Sequence, residues 1–391
     1  MASSSDKVRI TYVKETALGI PSAANLTEFR KTAESLSGTP KITESNEVTG
    51  DAQPTGQLIV GLDVAGGLDG ELASTKSHLD FIEAGMRSTW GGTITTGAAT
   101  LSIDASAKTI TRSAGSFITD TFKVNDMVAL AGFANTTNNT IVQITALTAT
   151  VITYAGPSDM VTEAAVASTT VTRPDYVEWG ATDASFTLAK DFLDLTNKSI
   201  TYPGQRIASF KLDFKYGSIG TVNFTMAGTG YELPTTPFTN GKTIDPVATE
   251  SALNASSDLG VVIIDGVPAS YCIEGLNLDI NNNIQPVECL GSIAPQDQTP
   301  TGLSVSVGMD VFLEDSNFDL HGKKLSQTPI AISYFVRDGN NKGYAVQVPA
   351  VQLSFDDAQG GGKRQLNKLS LSGVAKRDAA FGNTIRIYKL V

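Results

Sequence analysis

Phe210-Lys211-Leu212-Asp213-Phe214-Lys215-Tyr216 places an apolar side chain at every second residue. Side chains on a strand point alternately to opposite faces, so this stretch predicts a half-buried strand. Gly217 and Gly220 mark the turn that follows. Val222, Phe224 and Met226 then share one face of residues 221–226, and the two runs read as a hairpin. Working outward, residues 303–313 alternate in the same way, with Val305, Val307, Met309 and Val311 facing one side. Residues 8–14, 330–336, 344–355, 368–374 and 384–390 are further strand candidates. Helices are few. Residues 75–87 put Leu79, Ile82 and Met86 on one helical face, and residues 317–326 offer a shorter candidate with Phe318, Leu320 and Leu325. The fold class expected is all-β with a few short helices.

Composition agrees with that expectation. The chain has 391 residues, enough for two to three domains with real cores. Charged residues reach only 18%, and Thr, Ser, Asn and Gly take their place, which favours strands and turns. The net charge is −11 with no run of Lys or Arg. That balance argues against nucleic-acid binding, which needs a basic face to displace counterions, and it would repel an anionic membrane. No stretch approaches the roughly 20 apolar residues of a membrane helix. The start Met1-Ala2-Ser3-Ser4-Ser5-Asp6-Lys7 lacks the apolar segment of a signal peptide, so the sequons, such as those at Asn25 and Asn197, read as chance. Cys272 and Cys289 are too sparse for a secreted disulfide framework and are expected as two buried thiols.

An internal repeat is visible. Ala52-Gln53-Pro54-Thr55-Gly56 leads into Leu58-Ile59-Val60-Gly61-Leu62-Asp63-Val64, and Gln298-Thr299-Pro300-Thr301-Gly302 leads into Val305-Ser306-Val307-Gly308-Met309-Asp310-Val311. A helix candidate follows each. Upstream, residues 29–36 and 40–48 match 274–280 and 284–290 as two strands across a polar turn. The pattern predicts one supersecondary unit used twice. Between the first helix and Tyr176 the character changes: residues 93–172 hold no Trp and many Thr and Ala. Gly115-Ser116-Phe117-Ile118, Gly132-Phe133-Ala134-Asn135 and the alternating run 140–154 read as a small all-β module. The expected organisation is a first repeat over 1–92 and 173–245, an inserted domain at 93–172, and a second repeat at 246–391.

Chemistry is harder to find. His78 and His321 are the two histidines. Neither stands in a catalytic spacing, and both read as solvated helix-face residues. Cys272 and Cys289 lack zinc-ligand spacing. Asp310, Glu314, Asp315 and Asp319 lack the EF-hand order and read as a solvated strand end and helix start. Gly360-Gly361-Gly362-Lys363 is followed by Arg364 rather than Ser or Thr, so it reads as a hairpin tip and not a phosphate loop. No catalytic residue, cofactor or metal is expected, and the chain is read as a non-enzyme. Two rivals remain: a virion decoration or adhesive, carbohydrate-binding β-module using Trp90 and Trp179, and a β-rich hydrolase with a tuned carboxylate pair.

The residues also resemble a family. Thr11-Tyr12-Val13-Lys14-Glu15-Thr16-Ala17-Leu18-Gly19-Ile20-Pro21, Phe29-Arg30-Lys31-Thr32-Ala33-Glu34-Ser35-Leu36, Ile280-Asn281-Asn282-Asn283 and Tyr344-Ala345-Val346-Gln347-Val348-Pro349 are similar to segments of the major tail tube proteins of long-tailed, non-contractile bacteriophages. That resemblance implies tandem tube domains of two packed antiparallel sheets, and stacked rings that close one sheet into a barrel through which the genome passes. It implies a homotrimer with pseudo-sixfold symmetry if the repeat is real, and a homohexamer otherwise. It also implies a tape measure protein, a tail terminator and baseplate or tip proteins as partners, assembly in the host cytoplasm, and DNA in transit without specific binding. Asp63, Asp310 and Ser306, opposite the apolar rows, are the candidates to face the lumen. The inserted domain is expected on the exterior.

Overall fold

A computed structural model describes residues 3–46, 50, 56–358 and 363–391. Ala52-Gln53-Pro54-Thr55, the end of the expected 40–48 strand and the Gly360-Gly361-Gly362 tip lie outside the described residues. The main strands of the body are β1 (Val8–Ala17), β2 (Ser37–Glu44), β3 (Gln57–Glu71), β4 (Tyr176–Glu178), β5 (Phe186–Phe192), β6 (Ser199–Lys215), β7 (Thr221–Gly228), β8 (Ile273–Asn281), β9 (Ser304–Phe312), β10 (Ile330–Arg337), β11 (Gly343–Ser354), β12 (Lys368–Ala375) and β13 (Arg386–Leu390). Helix α1 (Lys76–Gly85) follows β3, and α2 (Leu320–Ser326) follows β9.

One antiparallel run dominates, in the order β2-β3-β7-β6-β8-β9-β12-β11. The quoted hairpin lies at its centre. Phe210, Leu212 and Phe214 of β6 pair across to Phe224, Val222 and Ile280, Leu278, Leu276, and all are buried. The 17-residue β6 serves two sheets. A register shift between Ile207 and Ser209 bends it, so Ser199–Gln205 pairs with β5, which pairs with β1. Strand β11 repeats the device: Gly343–Gln347 lies between β10 and β13, and Val351–Ser354 turns into the long run beside β12. The core fills the space between these layers, with Tyr12, Phe186, Leu188, Tyr334 and Ile387 facing Phe210, Phe224, Val307 and Leu371.

Helix α1 begins where Thr75 accepts the His78 amide, a side-chain N-cap. It lies on β6, and Gly85 makes this contact possible, because a Cβ there would meet the Phe210 ring at 2.7 Å. Helix α2 is a lesser version. Only Leu320 of its expected apolar face is buried; Phe318 and Leu325 are exposed. Its short, lysine-bearing sequence covers the sheet with one side chain instead of a stripe.

Strands between Ile94 and Arg173 pair only with one another. Met127–Ala131, Ile141–Leu147, Val151–Ala155, Thr109–Arg112, Ala99–Asp104 and Glu163–Arg173 follow in order, and the last returns to Met127–Ala131, closing a six-stranded barrel. Closure leaves no free edge. Leu101, Ile110, Phe117, Val142, Ile144 and Val171 fill its own core. The barrel docks through Met127 and Ile141 on Phe335, Ala345 and Tyr388. Those three alternate along β10, β11 and β13 with Tyr334, Val346 and Ile387 of the main core. The barrel therefore sits on the far side of the body from the β9–β12 surface.

Candidate functional site: a polar sheet face with two free edges

The long run buries one face and exposes the other, and the registers link the exposed residues in unbroken rows. Asp69, Asn223, Lys211, Asp279, Ser306, Val374 and Gln352 stand opposite one another in turn across β3, β7, β6, β8, β9, β12 and β11. A parallel row runs Lys215, Gly275, Asp310, Ser370. Asp63 lies on the same side of β3 as Asp69, because even steps along a strand keep the face. The structure thus brings Asp63, Ser306 and Asp310 onto one exposed face.

This face is mostly hydroxyl, amide and glycine, and several of its charges are paired. Lys41 binds Asp63 at 3.0 Å and Glu288 at 2.6 Å. Lys211 pairs with Asp213 at 3.1 Å and Lys368 with Glu274 at 2.6 Å. Ser370 donates to Asp310 at 2.7 Å, and Asn223 donates to Asp69. The hydrogen bond to Glu288 and the partner Asp63 hold the Lys41 pKa above its ordinary value. Lys211 and Asp213 were readable from the alternation around Phe210, and Asp279 from its place between Leu278 and Ile280.

Among the described residues the ends of the run have no further strand partner. Strand β2 pairs only with β3 there, and Leu353 and Ser354 of β11 only with β12. Beyond Val64, which meets Gly228 at the end of β7, strands β2 and β3 continue as a two-stranded arm. On this arm Ile42, Leu58, Ile59 and Val60 are all more than half exposed. Of the apolar row Val60, Leu62 and Val64 expected opposite Asp63, Val64 is buried and Leu62 packs partly buried against the core, but Val60 is exposed.

The remaining candidates resolve one by one. His78 is buried, not solvated. It packs against Phe29 and Phe224, bonds the Ala73 backbone, and burial pushes its pKa down to about 4. The unfolded chain therefore binds the proton more readily. The contribution of His78 to stability is complete above about pH 6.5 and shrinks as pH falls toward 4, by about 3 kcal/mol in all. Urea midpoints followed over that window should fall more steeply for the parent than for His78→Gln; parallel curves would show that His78 titrates normally. His321 lies 3.8 Å from Asp357, beside Phe318 and Phe355. Cys272 and Cys289 are free and exposed, contrary to expectation, because each sits just outside a strand end. The acidic group is dispersed: Glu314 and Asn317 cap a short turn, Asp319 lies near Lys323, and Asp310 serves the sheet face. Among the described residues no cluster of three His, Cys, Asp or Glu could hold a metal ion. No helix among them is long and apolar enough to cross a membrane. Trp90 donates its indole N–H to Leu79 and Trp179 donates to Asn282; both pack on the core, which removes them as sugar platforms.

A polar face bounded by unpaired edges suits a wall built by repetition. A family model described as phage tail tube protein matches residues 5–375. The chain belongs to the phage tail tube protein family. No curated protein matches it. It is a structural protein of the virion tail that self-assembles into a tube, and its all-β fold is the one expected. Tyr12, Phe29, Leu36, Ile280 and Tyr344, all within the segments that carried the resemblance, are core residues of this tube protein.

Proposed function

We propose that three copies of this chain close into a ring, with the long run of each supplying a third of an inner barrel, and that rings stack into the tail tube of a long-tailed, non-contractile phage. The observation that carries the reading is the order β2-β3-β7-β6-β8-β9-β12-β11 with a free edge at each end. Two four-stranded units, β2-β3-β7-β6 and β8-β9-β12-β11, stand side by side in that run and are joined by β6–β8 pairing. Each unit has its helix after its second strand, which supports a duplicated tube domain over 1–92 with 173–245 and over 246–391, interrupted at 93–172. The units align through the ladders with Leu68-Asp69 equivalent to Met309-Asp310, not Asp63 with Asp310 as the matching strings suggest.

In this reading Asp63, Ser306 and Asp310 face the lumen. Most lysines of this face are paired with carboxylates and the rest of it is hydroxyl and amide, so it offers phosphates few cations to hold and little counterion release. The barrel at 93–172, on the opposite side of the body, decorates the exterior. The apolar arm at Ile42 and Leu58–Val60 is the surface for the neighbouring ring. The protein performs no catalysis. It assembles in the host cytoplasm, and its other partners are the tape measure, tail terminator and baseplate or tip proteins.

Purified protein should form hollow tubes in negative stain, with Asp310 on the inner wall of a reconstruction. A chain that stays monomeric when concentrated, or Asp310 on the outer wall, overturns the reading. Ser306→Arg with Ser370→Arg should leave tube diameter unchanged and make tubes retain DNA. The logarithm of affinity should fall with the logarithm of salt by roughly 0.9 for each phosphate newly contacted. Unchanged DNA retention would place these residues elsewhere than the lumen.

A further inference from the structure

The β6–β8 junction inside the chain is a template for the junction between chains. There Ser209 stands opposite Asn281, Phe210 opposite Ile280, Lys211 opposite Asp279 and Leu212 opposite Leu278. The ladders transfer each side of this junction to a free edge. Strands β7 and β12 have the same length and the same inward positions, with Phe224 equivalent to Leu371. Ser209 pairs with Thr225 and Ser354 with Ser372, so Ser354 is the counterpart of Ser209. On the other side, Asn281 pairs with Ser304, whose counterpart on β3 is Asp63, and Asp63 pairs with Thr39. Thr39 is therefore the counterpart of Asn281.

Burial supports this transfer. Phe355, the counterpart of Phe210, is buried against α2, as Phe210 is against α1. Leu36, the counterpart of Leu278, is also buried. Asp356 is exposed on the polar side, and Asp357 turns to Lys324 of α2 at 2.7 Å, so the alternation of β11 continues past Ser354.

We infer that Ser354 of one copy sits opposite Thr39 of the next, Phe355 opposite Gly38, Asp356 opposite Ser37 and Asp357 opposite Leu36. This rests on the tube reading above and adds the residues that close the ring. Ser35 donates its N–H to Gly67, so the N–H of Leu36 points away from β3 toward the incoming strand. In the single chain side chains hold these groups. Glu34 accepts from the Leu36 N–H at 3.2 Å, Tyr202 donates to the Leu36 carbonyl at 3.1 Å, and Lys324 donates to the Phe355 carbonyl at 3.1 Å. Such holds blunt a free edge until the correct strand arrives. The main chain of the neighbour replaces them on assembly.

Disulfide trapping tests the register. In a background with Cys272→Ser and Cys289→Ser, Ser354→Cys is combined with Thr39→Cys. The pair is not hydrogen-bonded across the junction, which puts its Cα atoms about 4.5 Å apart, within disulfide reach. Oxidised tubes, denatured without reductant, should run mainly as a covalent trimer. Ser354→Cys with Ser37→Cys shifts one partner by two residues, to about 8 Å, and should stay largely uncrosslinked. Tubes that form normally yet crosslink only through the shifted pair overturn this register and leave the tube reading intact. A cysteine-free background protein that fails to assemble overturns both.

Discussion

Replacing Asp126 by Ala should lower the unfolding free energy by about 3–5 kcal/mol, read from a urea titration. Asp126 is 1% exposed and stands where the inserted barrel meets the second half of the chain. One oxygen accepts from Arg386 at 2.9 Å, and the other accepts from Arg173 at 3.2 Å and from the Lys123 amide at 2.9 Å. Arg386 also binds Glu178 at 2.5 Å and lies over the Tyr176 ring, while Arg173 reaches the Gly92 carbonyl at 2.7 Å. Removing the carboxylate leaves two buried guanidinium groups with one carboxylate between them. The loss comes from stranded charge rather than lost attraction, because burying an unpaired ion costs several kcal/mol.

Two further variants separate these terms. Asp126→Asn keeps the shape and should still lose most of the stability. Asp126→Leu with Arg173→Leu and Arg386→Met removes all three charges and should recover a large part of it. A loss below about 1 kcal/mol for Asp126→Ala, the range of exposed pairs, would mean that water reaches the junction and the barrel hangs on a loose tether. The backbone makes the junction specific: Asn125 adopts a φ of 74°, a left-handed turn that aims its carbonyl at Gln347 and Asp126 at the arginines.

None of this docking could be read from the chain, and the reason is physical. Alternation reports which face of a strand is buried, not what buries it. The runs around Phe210 and Val307 were legible as strands because each has a one-sided apolar face, those around Val346 and Ile387 because they are rich in apolar residues although both their faces are buried, and the structure has a strand at each. Thr75 was legible as a helix start. Tyr388 and Phe335 look like ordinary strand residues, and only the fold reveals that they meet a barrel from the other half of the chain. The sheet face was legible for Ser306 and Asp310, which alternate with buried Val305, Val307, Met309 and Val311. The repeat was legible as a pattern but not in register. The strings around Asp63 and Asp310 match, yet the ladders pair Asp310 with the position of Asp69, three alternations further along. A shift by an even number of residues preserves inside and outside, so patterning alone cannot detect it. The His78 and cysteine readings failed for a related reason: burial of a single side chain depends on distant elements, here Phe29 and Phe224 over His78.

The other large effect concerns a residue that the helical-face reading passed over. The helical spacing puts Leu79, Ile82 and Met86 on the buried stripe of α1, but the centre of its contact is Phe81, fully buried among four aromatic rings. Its ring centroid lies 4.7 Å from Tyr12, 5.0 Å from Phe186, 5.3 Å from Phe224 and 5.5 Å from Phe29. These rings come from β1, β5, β7 and the segment before β2, so one side chain joins elements distant in sequence. Phe81→Ala should cost about 3–5 kcal/mol through lost transfer energy and the cavity left in a close-packed core. Phe81→Leu keeps most of the apolar volume and should cost about 1–2 kcal/mol, since each aromatic pair adds about 0.5–1.5 kcal/mol beyond area and contributions in one cluster do not sum. Denaturant midpoints at equal slope provide the comparison. Equal losses for Ala and Leu would assign the whole effect to ring geometry, and a loss under about 1 kcal/mol for Ala would show that the layers hold together without α1. Because α1 also packs on β6, the strand that joins the two four-stranded units, Phe81→Ala should weaken tube formation in proportion to the stability lost, while charge changes on the polar face should leave folding untouched.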